Sequence, residues 1–388
     1  MRLIHTSDWH LGRTFEREDL IGFQAEFLEW LLGVAIAREV DAVLVAGDIY
    51  DRAVPSTDAV SLLDRTLVAF ARARIPIVLT SGNHDSAVRL GFGSGLSEEA
   101  GVHLRTSVTD VARPVVVGAE GDEVAIYGVP YLLPDAVMTE LGAQRSHESV
   151  LTAAADRIRD DARARGLRRT VVLAHAFVTG GSVCDSERDV RVGGIGDAPS
   201  SVFDGFTYVA LGHLHGPQEI RLTDSHTTLR YSGSPLAYSF SEKDHVKSVT
   251  LVDIDGTGQV RTELIATPVA RPLREVRGSL EELLERADTD LAGLSDAWVK
   301  VTLTDPARPI SPMERLRERW PYTLVLAFEP EGGLSDPAAD LARLAATTDP
   351  FEICALFVEY VDNAPPDDRA LAVIRGVVEA ALHHEVGP

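Results

Sequence analysis

Histidine, aspartate and asparagine residues follow five separate apolar runs in this chain. They are Asp8, His10, Asp48, Asn83, His84, His175, His213 and His215. Imidazole, carboxylate and amide groups without a thiolate are typical ligands of manganese, iron or zinc in catalytic rather than structural sites. His213 and His215 are one residue apart, and alternation along an extended chain directs such side chains to one side. The pattern predicts a metal site.

Each of these short motifs also has a purely structural explanation. Asp8 with His10 could form a turn that caps a helix, Gly47-Asp48 is a common turn pair, and Asn83-His84-Asp85 could be a polar β-turn. A single histidine at the end of a strand is more often a core or surface residue. Coincidence at five successive strand ends is a much weaker explanation, so we interpret these residues as one site.

The number of candidate ligands favours two ions over one. Seven of the side chains, all except His84, exceed the four ligands of a tetrahedral ion. Two ions that share one carboxylate would use all seven. Two ions roughly 3.5–4 Å apart clamp a phosphoryl group and acidify a water molecule between them. This arrangement suits phosphoester hydrolysis.

Strands alternating with helices must position these residues. Apolar β-branched runs predict buried strands over residues 3–7, 41–46, 75–78, 170–174 and 207–211. Helical periodicity predicts helices over about 21–38, 55–74 and 146–165. Ligands bind at the carboxyl ends of strands in open α/β sheets, where these polar groups stand. Residues 111–117 and 123–129 are predicted to form an antiparallel extension of the first sheet, and strands near 229–232, 248–254 and 259–265 to complete a second sheet.

Length and composition indicate a globular protein of more than one domain. At 388 residues the chain exceeds the roughly 250–300 residues that one hydrophobic core supports. Pro268 and Pro272 flank a change to short alternating elements, which predicts a small α+β domain after them, closed near Pro365-Pro366. We expect a cytoplasmic protein, because no signal peptide, membrane span or disulfide framework is visible and the two cysteines are far apart.

A net charge of −22 argues against a free-standing nucleic-acid binder. A polyanionic substrate would have to be attracted by bound cations, a local group of arginines or a partner chain.

Five of these motifs together resemble the motif set of the calcineurin-like metallophosphoesterases. They are Asp8-x-His10, Gly47-Asp48-x-x-Asp51, Gly82-Asn83-His84-Asp85, His175 and Gly212-His213-x-His215. Longer segments are similar to the bacterial SbcD family, the nuclease subunits of SbcC–SbcD complexes: residues 7–13, 186–188, 210–215, 231–236 and 239–242. The superfamily resemblance covers about the first 265 residues, and the remainder resembles SbcD by arrangement.

The resemblance implies an α/β fold, α+β by some schemes, built as a four-layer αββα sandwich. Residues 1–268 would form the metallophosphoesterase nuclease domain and residues 269–363 an α+β capping domain. Residues 364–388 would form a C-terminal helix that docks on a partner. The amphipathic pattern of residues 367–384 is equally that of an ordinary core helix.

The resemblance also assigns roles to the site residues. One metal would be held by Asp8, His10 and His215, the other by Asn83, His175 and His213, with Asp48 bridging them. His84 would face the substrate as a catalytic residue, Asp85 would orient its ring, and Asp51 would support a ligand histidine or cap a turn. Two divalent ions per chain are expected, most commonly Mn²⁺, with iron and zinc as alternatives.

Five arginines are candidates for contacts with substrate phosphates, although ordinary surface charge explains each one as well: Arg13, Arg52, Arg89, Arg188 and Arg191. Trp9, beside two candidate ligands, could stack on a base or simply be buried.

The function implied is a metal-dependent DNA nuclease, with 3′→5′ double-strand exonuclease and single-strand endonuclease activity. It would act with an SbcC-like coiled-coil ATPase in DNA end and hairpin processing, replication and recombination. A homodimer within a heterotetramer, associated with the nucleoid, is expected. The alternatives are a stand-alone phosphodiesterase or phosphatase of the same superfamily, or a scaffold for the ATPase.

Overall fold

The computed structural model describes residues 1–187, 197–268, 270–330, 344, 347–362 and 365–384. The chain divides into two compact units, Met1–Ala270 and Arg271–Pro388. No helix in these described ranges has both the length and the apolarity needed to cross a bilayer. The predicted division at 268 and 363 stays a prediction.

The first unit contains two six-stranded sheets. The first sheet has the order β14-β13-β1-β4-β5-β6, and its strands are β1 (Arg2–Thr6), β4 (Ala42–Ala46), β5 (Ile77–Thr80), β6 (Val102–Arg105), β13 (Ser248–Ile254) and β14 (Val260–Ala266). Strands β1, β4, β5 and β6 are parallel, whereas β13 runs antiparallel to β1 and β14 antiparallel to β13. A short hairpin, β2 (Thr14–Phe15) and β3 (Glu18–Asp19), follows β1.

The second sheet has the order β11-β12-β10-β9-β8-β7. Its strands are β7 (Val115–Val117), β8 (Val124–Val129), β9 (Thr170–His175), β10 (Tyr208–Gly212), β11 (Gln218–Ile220) and β12 (Thr228–Tyr231). The four central strands are parallel, and β7 pairs antiparallel with β8, as the sequence predicts. The prediction that these two strands extend the first sheet is wrong, because β8 pairs with β9 in the second sheet. Strand β7 is shorter than predicted, because residues 111–112 form a turn directly after the 3₁₀ helix of residues 108–110.

The prediction that residues 248–254 and 259–265 complete the second sheet is wrong. Strand β13 pairs with β1, with Arg2 opposite Asp253, and so extends the first sheet. Alternation of apolar residues identifies a strand but not its partner, and strands close in sequence are the usual neighbours. Here the partner strand lies about 250 residues further along the chain than β1.

Helices cover the outer face of each sheet. Helices α1 (Ile21–Ala37) and α2 (Thr57–Ala73) pack on the first sheet around Phe27 and Leu31, and α5 (Pro134–Leu141) and α6 (His147–Arg165) pack on the second. Short helices α3 (Ala87–Leu90) and α4 (Ser94–Glu98) precede β6. A third apolar cluster, containing Leu3, Leu44 and Leu173, lies between the sheets. The predicted four-layer αββα arrangement is confirmed.

The second unit begins with a small parallel three-stranded sheet with its own apolar core. Its elements are β15 (Leu273–Gly278), α7 (Leu280–Arg286), β16 (Trp298–Leu303), α8 (Pro312–Arg319) and β17 (Thr323–Phe328), followed by α9 (Pro350–Asp362) and α10 (Asp368–His384). Helix α9 was not predicted from the sequence, although Pro350 at its first position is a usual start signal.

His5 forms a buried polar bridge between the two sheets. Its Nε2 lies 3.1 Å from the carbonyl oxygen of Leu211, and its Nδ1 lies 2.9 Å from the hydroxyl of Tyr208. The carbonyl can only accept, so Nε2 carries the proton and Nδ1 accepts from the tyrosine. Burial lowers the pKa of His5 to about 3, because the charged ring would lose its hydration.

We predict that replacing His5 with glutamine reduces the acid sensitivity of the fold. In the unfolded chain the ring takes up a proton near pH 6.5, whereas the folded ring does so only near pH 3. Stability is therefore lost as the pH falls below 6.5, by about 2 kcal/mol at pH 5 for this one group. Urea unfolding at pH 7 and pH 5, with a chelator present, measures the difference.

The matched control is His226→Gln, since His226 is exposed. Equal pH dependence in His5→Gln and in the unsubstituted protein would contradict the prediction.

Candidate metal centre

The seven predicted ligands and His84 lie at the carboxyl ends of strands from both sheets. Strands β1, β4 and β5 supply Asp8, His10, Asp48 and Asn83, and β9 and β10 supply His175, His213 and His215. The loops after β1 and β4 continue the parallel pairing, because the His10 amide donates to the Asp48 carbonyl at 2.9 Å. The first sheet thus fixes its ligands to one another through the backbone.

Asp8, His10 and His215 form the first group of candidate ligands. One polar atom from each lies within 4.8 Å of the others, and all three residues are buried. The Nε2 atoms of His10 and His215 are 3.2 Å apart and face each other. Such convergence of imidazole nitrogens beside a carboxylate suits a shared cation.

Asn83, His175 and His213 form the second group. The Asn83 Oδ1 atom lies 2.9 Å from His175 Nε2 and 3.3 Å from His213 Nδ1. His175 Nδ1 donates to the Ala46 carbonyl at 3.0 Å, which leaves the lone pair of Nε2 directed into the group. The second group therefore offers an amide oxygen and ring nitrogens at one point.

Asp48 lies between the two groups. Its Oδ2 atom is 3.6 Å from His10 Nε2 and 3.5 Å from His175 Nε2. Its Oδ1 atom accepts a hydrogen bond from the His84 amide at 2.9 Å. This position is the one required of a carboxylate shared by two ions.

The ring of His84 lies beside Asp48 and is fixed from the opposite side. His84 Nδ1 donates to the Asp51 carbonyl at 2.8 Å, and Nε2 lies 4.0 Å from Asp48 Oδ2. One polar atom from each of His10, Asp48 and His84 also lies within 4.8 Å of the other two. The geometry thus presents His84 Nε2 towards the centre of the site.

The predicted role of Asp85 needs correction. Its carboxylate accepts hydrogen bonds from the amides of Ile49, Tyr50 and Gly82 at 2.9–3.0 Å. These contacts occupy the carboxylate and tie the turn after β5 to the loop after β4. The Asp51 carbonyl, not Asp85, orients the His84 ring. Asp85 is a structural brace of the site.

Burial strongly perturbs the ionisation of these groups. Burial, and then the charge of Asp48, raises the pKa of Asp8, while burial and neighbouring histidines lower the pKa of His10. Burial also lowers the pKa of His175 to about 3 and that of His215 to about 4. The lowered pKa values keep the imidazoles neutral, which is the form that binds metals. The raised pKa of Asp8 reflects burial and repulsion between neighbouring carboxylates, which a bound cation would relieve.

Two buried polar atoms of the site have no hydrogen-bond partner among the described residues, His10 Nδ1 and Asn83 Nδ2. The donor set of imidazole, carboxylate and amide oxygen, buried with net negative charge, fits divalent cations. The chemistry of the residues present therefore agrees with two bound ions.

Four of the seven predicted ligands have left-handed backbone conformations. The φ angles are +54° for Asp8, +46° for His10, +48° for Asp48 and +108° for His213. Such conformations are uncommon outside glycine and cost on the order of 1–3 kcal/mol each. They persist because the two sheets and their loop hydrogen bonds hold them.

Glycines allow the backbones to meet at this site. A Cβ atom on Gly212 would lie 1.7 Å from the Ala46 carbonyl oxygen, and one on Gly82 would lie 2.0 Å from Asp48 Oδ1. A side chain at Gly212 would separate the two sheets, and one at Gly82 would displace Asp48 within the first sheet.

Comparison with known proteins agrees with this geometry. Residues 1–217 match the family model described as calcineurin-like phosphoesterase. The chain belongs to the calcineurin-like phosphoesterase family. Residues 269–361 match a second model, described as Type 5 capsule protein repressor C-terminal domain. As a calcineurin-like phosphoesterase the chain is a metal-dependent hydrolase, which confirms the predicted enzyme class.

The D subunit of the nuclease SbcCD from Bacillus subtilis is 36% identical over 281 residues, which cover 70% of this chain and 71% of that protein. The predicted relationship to SbcD is confirmed. Similar solved structures include one from Thermus thermophilus, at 13% identity and a TM-score of 0.41, which covers 68% of this chain and 98% of that one. A dimetal phosphatase from Danio rerio has 12% identity and a TM-score of 0.41, covering 69% and 99%.

The predicted arginines of this phosphoesterase take different positions. Arg13 is mostly buried, donates to the Ser186 carbonyl at 3.0 Å and lies 3.6 Å from Asp51, while exposed Arg52 lies 3.4 Å from Asp51. Arg89 instead lines a groove beside Phe92 on the outer side of α2. Arg188 and Arg191 lie outside the described residues.

Asp51 supports His84 through its carbonyl and the arginines through its carboxylate. Its Oδ1 atom is 3.7 Å from His10 Nδ1, beyond hydrogen-bond distance. Trp9 is fully buried and donates to the Thr6 hydroxyl, so packing is its observed role.

Several neighbours of the centre have no role predicted from the sequence. Tyr131 lies with its ring centre 6.4 Å from that of His175, and Phe177 lies 6.2 Å from His213. Tyr131 follows β8 in the second sheet, so the strand-end rule would have found it. Ser186 and Glu242, quoted only as part of the family resemblance, both contact His215.

We predict that Gly82→Ala disrupts the centre. The added methyl group would lie 2.0 Å from Asp48 Oδ1, so Asp48 must move away from both ligand groups. We expect stability to fall by about 1–3 kcal/mol and the stabilisation by added Mn²⁺ to be lost. Thermal unfolding with and without Mn²⁺ measures both effects.

Gly33→Ala in α1 is the control, because a Cβ there meets nothing within 4 Å and should stabilise the helix by about 0.5–1 kcal/mol. An unchanged Mn²⁺ effect in Gly82→Ala would show that Asp48 is not part of the metal site.

Proposed function

We propose that the chain is the nuclease subunit of an SbcCD-type complex and hydrolyses DNA phosphodiesters with two divalent ions, most commonly Mn²⁺. The expected activities are 3′→5′ exonuclease on double strands and endonuclease on single strands. The observation that carries the proposal is a pair of buried ligand groups that meet at Asp48, with His84 directed at the same point. The Bacillus subtilis relative named as a nuclease subunit supports the choice of a nucleic acid as substrate.

We assign one ion to Asp8, His10 and His215 and the other to Asn83, His175 and His213, with Asp48 shared. When bound, such ions offset the charge of a phosphate group and lower the pKa of water. The residues around them supply rigidity, since backbone hydrogen bonds and neighbouring carbonyls fix the rings. A preorganised site avoids rearrangement during the reaction.

His84 is suited to protonate the leaving oxygen. Its Nδ1 must carry a proton to donate to the Asp51 carbonyl, so Nε2 carries one only when the ring is positively charged. This Nε2 atom lies 4.0 Å from Asp48 Oδ2, on the side of the ring that faces the ligand groups. A charged His84 could also hydrogen-bond to a phosphate oxygen before donating the proton.

Positive charge at the rim offsets the overall acidity of the chain. The Arg13 guanidinium is held over the Tyr238 ring at 4.9 Å and by the Ser186 carbonyl, so little entropy is lost when it binds a phosphate. We propose that Arg13 and Arg52 contact the DNA backbone. Arg188 and Arg191 remain candidates for the same role, and the α+β unit is the proposed capping domain.

We predict that His84→Ala lowers Mn²⁺-dependent DNA cleavage by about 10²–10⁴-fold, because proton transfer to the leaving group is lost. Mn²⁺ binding should persist in this variant, whereas Asp48→Asn should lose both binding and cleavage. Nuclease assays on labelled single- and double-stranded DNA, alongside calorimetric Mn²⁺ titration, measure the two properties separately.

His226→Ala, an exposed histidine, is the control and should cleave normally. Undiminished cleavage by His84→Ala or Asp48→Asn would contradict the proposed roles of these residues in DNA hydrolysis.

A small-molecule phosphodiesterase or phosphatase of the same fold is the second candidate, and a scaffold for an ATPase is the third. Hydrolysis of nitrophenyl phosphate esters in preference to DNA would favour the second. The intact ligand groups favour an enzyme over a scaffold.

We further propose that the chain forms a homodimer through α3 and α4. Val88, Phe92 and Leu96 are 85–88% exposed on this short segment. Beside them lies a groove of about 400 Å³ lined by Leu63, Leu67 and other apolar side chains of α2. Exposed apolar side chains next to an apolar groove suit a two-fold contact in which each copy fills the other's groove.

The ATPase partner is proposed to dock on the C-terminal helices. Ile353 and Phe357 in α9 are 37% and 63% exposed, and Val373 and Val377 in α10 are 61% and 63% exposed. Each pair is four residues apart and so shares one face of its helix. A coiled coil of the ATPase presents the amphipathic helices that such faces bind.

We predict that the two surfaces can be separated by mutation. Phe92→Glu should give a monomer that still binds the ATPase, because a buried charge opposes the two-fold contact. Phe357→Glu should give a dimer with weakened ATPase binding. Light scattering and co-purification with an SbcC-type ATPase measure the two properties, and each variant serves as the control for the other.

Loss of both properties in either variant, or of neither, would contradict the proposed division of surfaces.

A further inference from the structure

His215 is held by more contacts than its role as a ligand requires. Its Nδ1 atom lies 2.8 Å from the hydroxyl oxygen of Ser186, and its amide donates to Glu187 at 2.6 Å. Its carbonyl accepts from Lys247 Nζ at 2.9 Å. Ring and backbone are therefore fixed independently.

Glu242 lies behind Ser186 and is fully buried. Its Oε1 atom accepts from the Ser186 hydroxyl and from the Tyr238 amide, and lies 3.4 Å from His215 Nδ1. Its Oε2 atom pairs with Lys247. Burying a carboxylate and an ammonium costs free energy that an apolar pair would not, which points to a role beyond folding.

Lys247 is the counter-ion of Glu242, and all three of its ammonium protons have acceptors. Its ammonium group donates to the His215 carbonyl, to the Ser234 hydroxyl at 2.9 Å and to Glu242. These contacts match its three protons. Glu242 is thereby held as a carboxylate, which can only accept hydrogen bonds.

The direction of the hydrogen bonds follows from that carboxylate. The Ser186 hydroxyl must donate to Glu242, so its oxygen is left to accept the proton on His215 Nδ1. A proton held on Nδ1 leaves the lone pair of Nε2 directed at His10 and the first ligand group. Such partners orient a ligand histidine and raise its basicity.

We propose that Glu242, acting through Ser186, is a positioning residue that sets the affinity of the Asp8–His10–His215 group for its metal. The inference rests on the proposed two-ion function of the centre. It is specific to one group, because His175 in the other is fixed by the Ala46 carbonyl. His10, in the same group, lacks a partner at Nδ1 in the described part of the chain.

The test is calorimetric titration of the metal-free full chain with Mn²⁺ alone. Glu242→Gln removes the negative charge and keeps the shape of the side chain. Ser186→Ala removes the hydroxyl group that links Glu242 to His215 Nδ1. We expect one of the two binding steps to weaken by about 10–100-fold in each variant, while the other step is unchanged.

Glu98→Gln is the control. Glu98 pairs with Arg105 and Arg113 away from the metal centre, so this change should alter stability and leave both Mn²⁺ affinities unchanged. Urea unfolding of the metal-free variants reports stability separately. Because Ser186→Ala leaves the Glu242–Lys247 pair intact, it tests the relay even where Glu242→Gln destabilises the fold.

Two Mn²⁺ steps of unchanged affinity in Ser186→Ala and Glu242→Gln would overturn the proposal. Equal weakening of both steps would also overturn it, because that is the result of a general structural role. If one Mn²⁺ step weakens in the variants but the unsubstituted protein does not cleave DNA, this inference is supported and the proposed nuclease is refuted. If the unsubstituted protein cleaves DNA but the Mn²⁺ affinities of the variants are unchanged, the nuclease is supported and this inference is refuted.

Discussion

The close approach of the two sheets at their carboxyl ends is the constraint on which the site depends. Gly212 lies against the Ala46 carbonyl, and Gly47 lies against the His175 ring. Only there can the histidines of β9 and β10 meet the carboxylates that follow β1 and β4. The left-handed backbone of Asp8, His10 and Asp48 is held by loop hydrogen bonds that continue the parallel pairing. The rigid sheets and loops thus hold these three residues in backbone conformations that they would not favour by themselves.

Burial at this junction determines the electrostatics of the site. The carboxylates of Asp8 and Asp48 have almost no contact with water, and the surrounding histidines are kept neutral by the same desolvation. Bound cations would offset the charge of the carboxylates and accept the lone pairs of the neutral histidines. At the rim, Asp51 holds Arg13 and Arg52 near the centre, which provides local positive charge on a chain that carries a net charge of −22.

The sequence predicted the features that depend on local pattern and failed where distant parts of the chain determine the outcome. Apolar runs ending in Asp, Asn or His located the strand ends, and the rule for open α/β sheets grouped them. The partner of β13 was wrong because alternation does not specify a neighbouring strand. The role given to Asp85 was wrong because its position in the turn cannot show that three amides occupy its carboxylate. Helix α9 was missed although its start signal is present.

The pairing of β13 with β1 has a consequence for synthesis of the protein. Strand β1 leaves the ribosome well before β13, so its edge next to β13 stays unpaired until residues 248–254 have been made. At bacterial elongation rates of about 5–20 residues per second, the delay is about 10–50 s. During that interval an apolar strand edge is open to other chains, so the nascent polypeptide has its greatest need for chaperone protection before the first sheet closes.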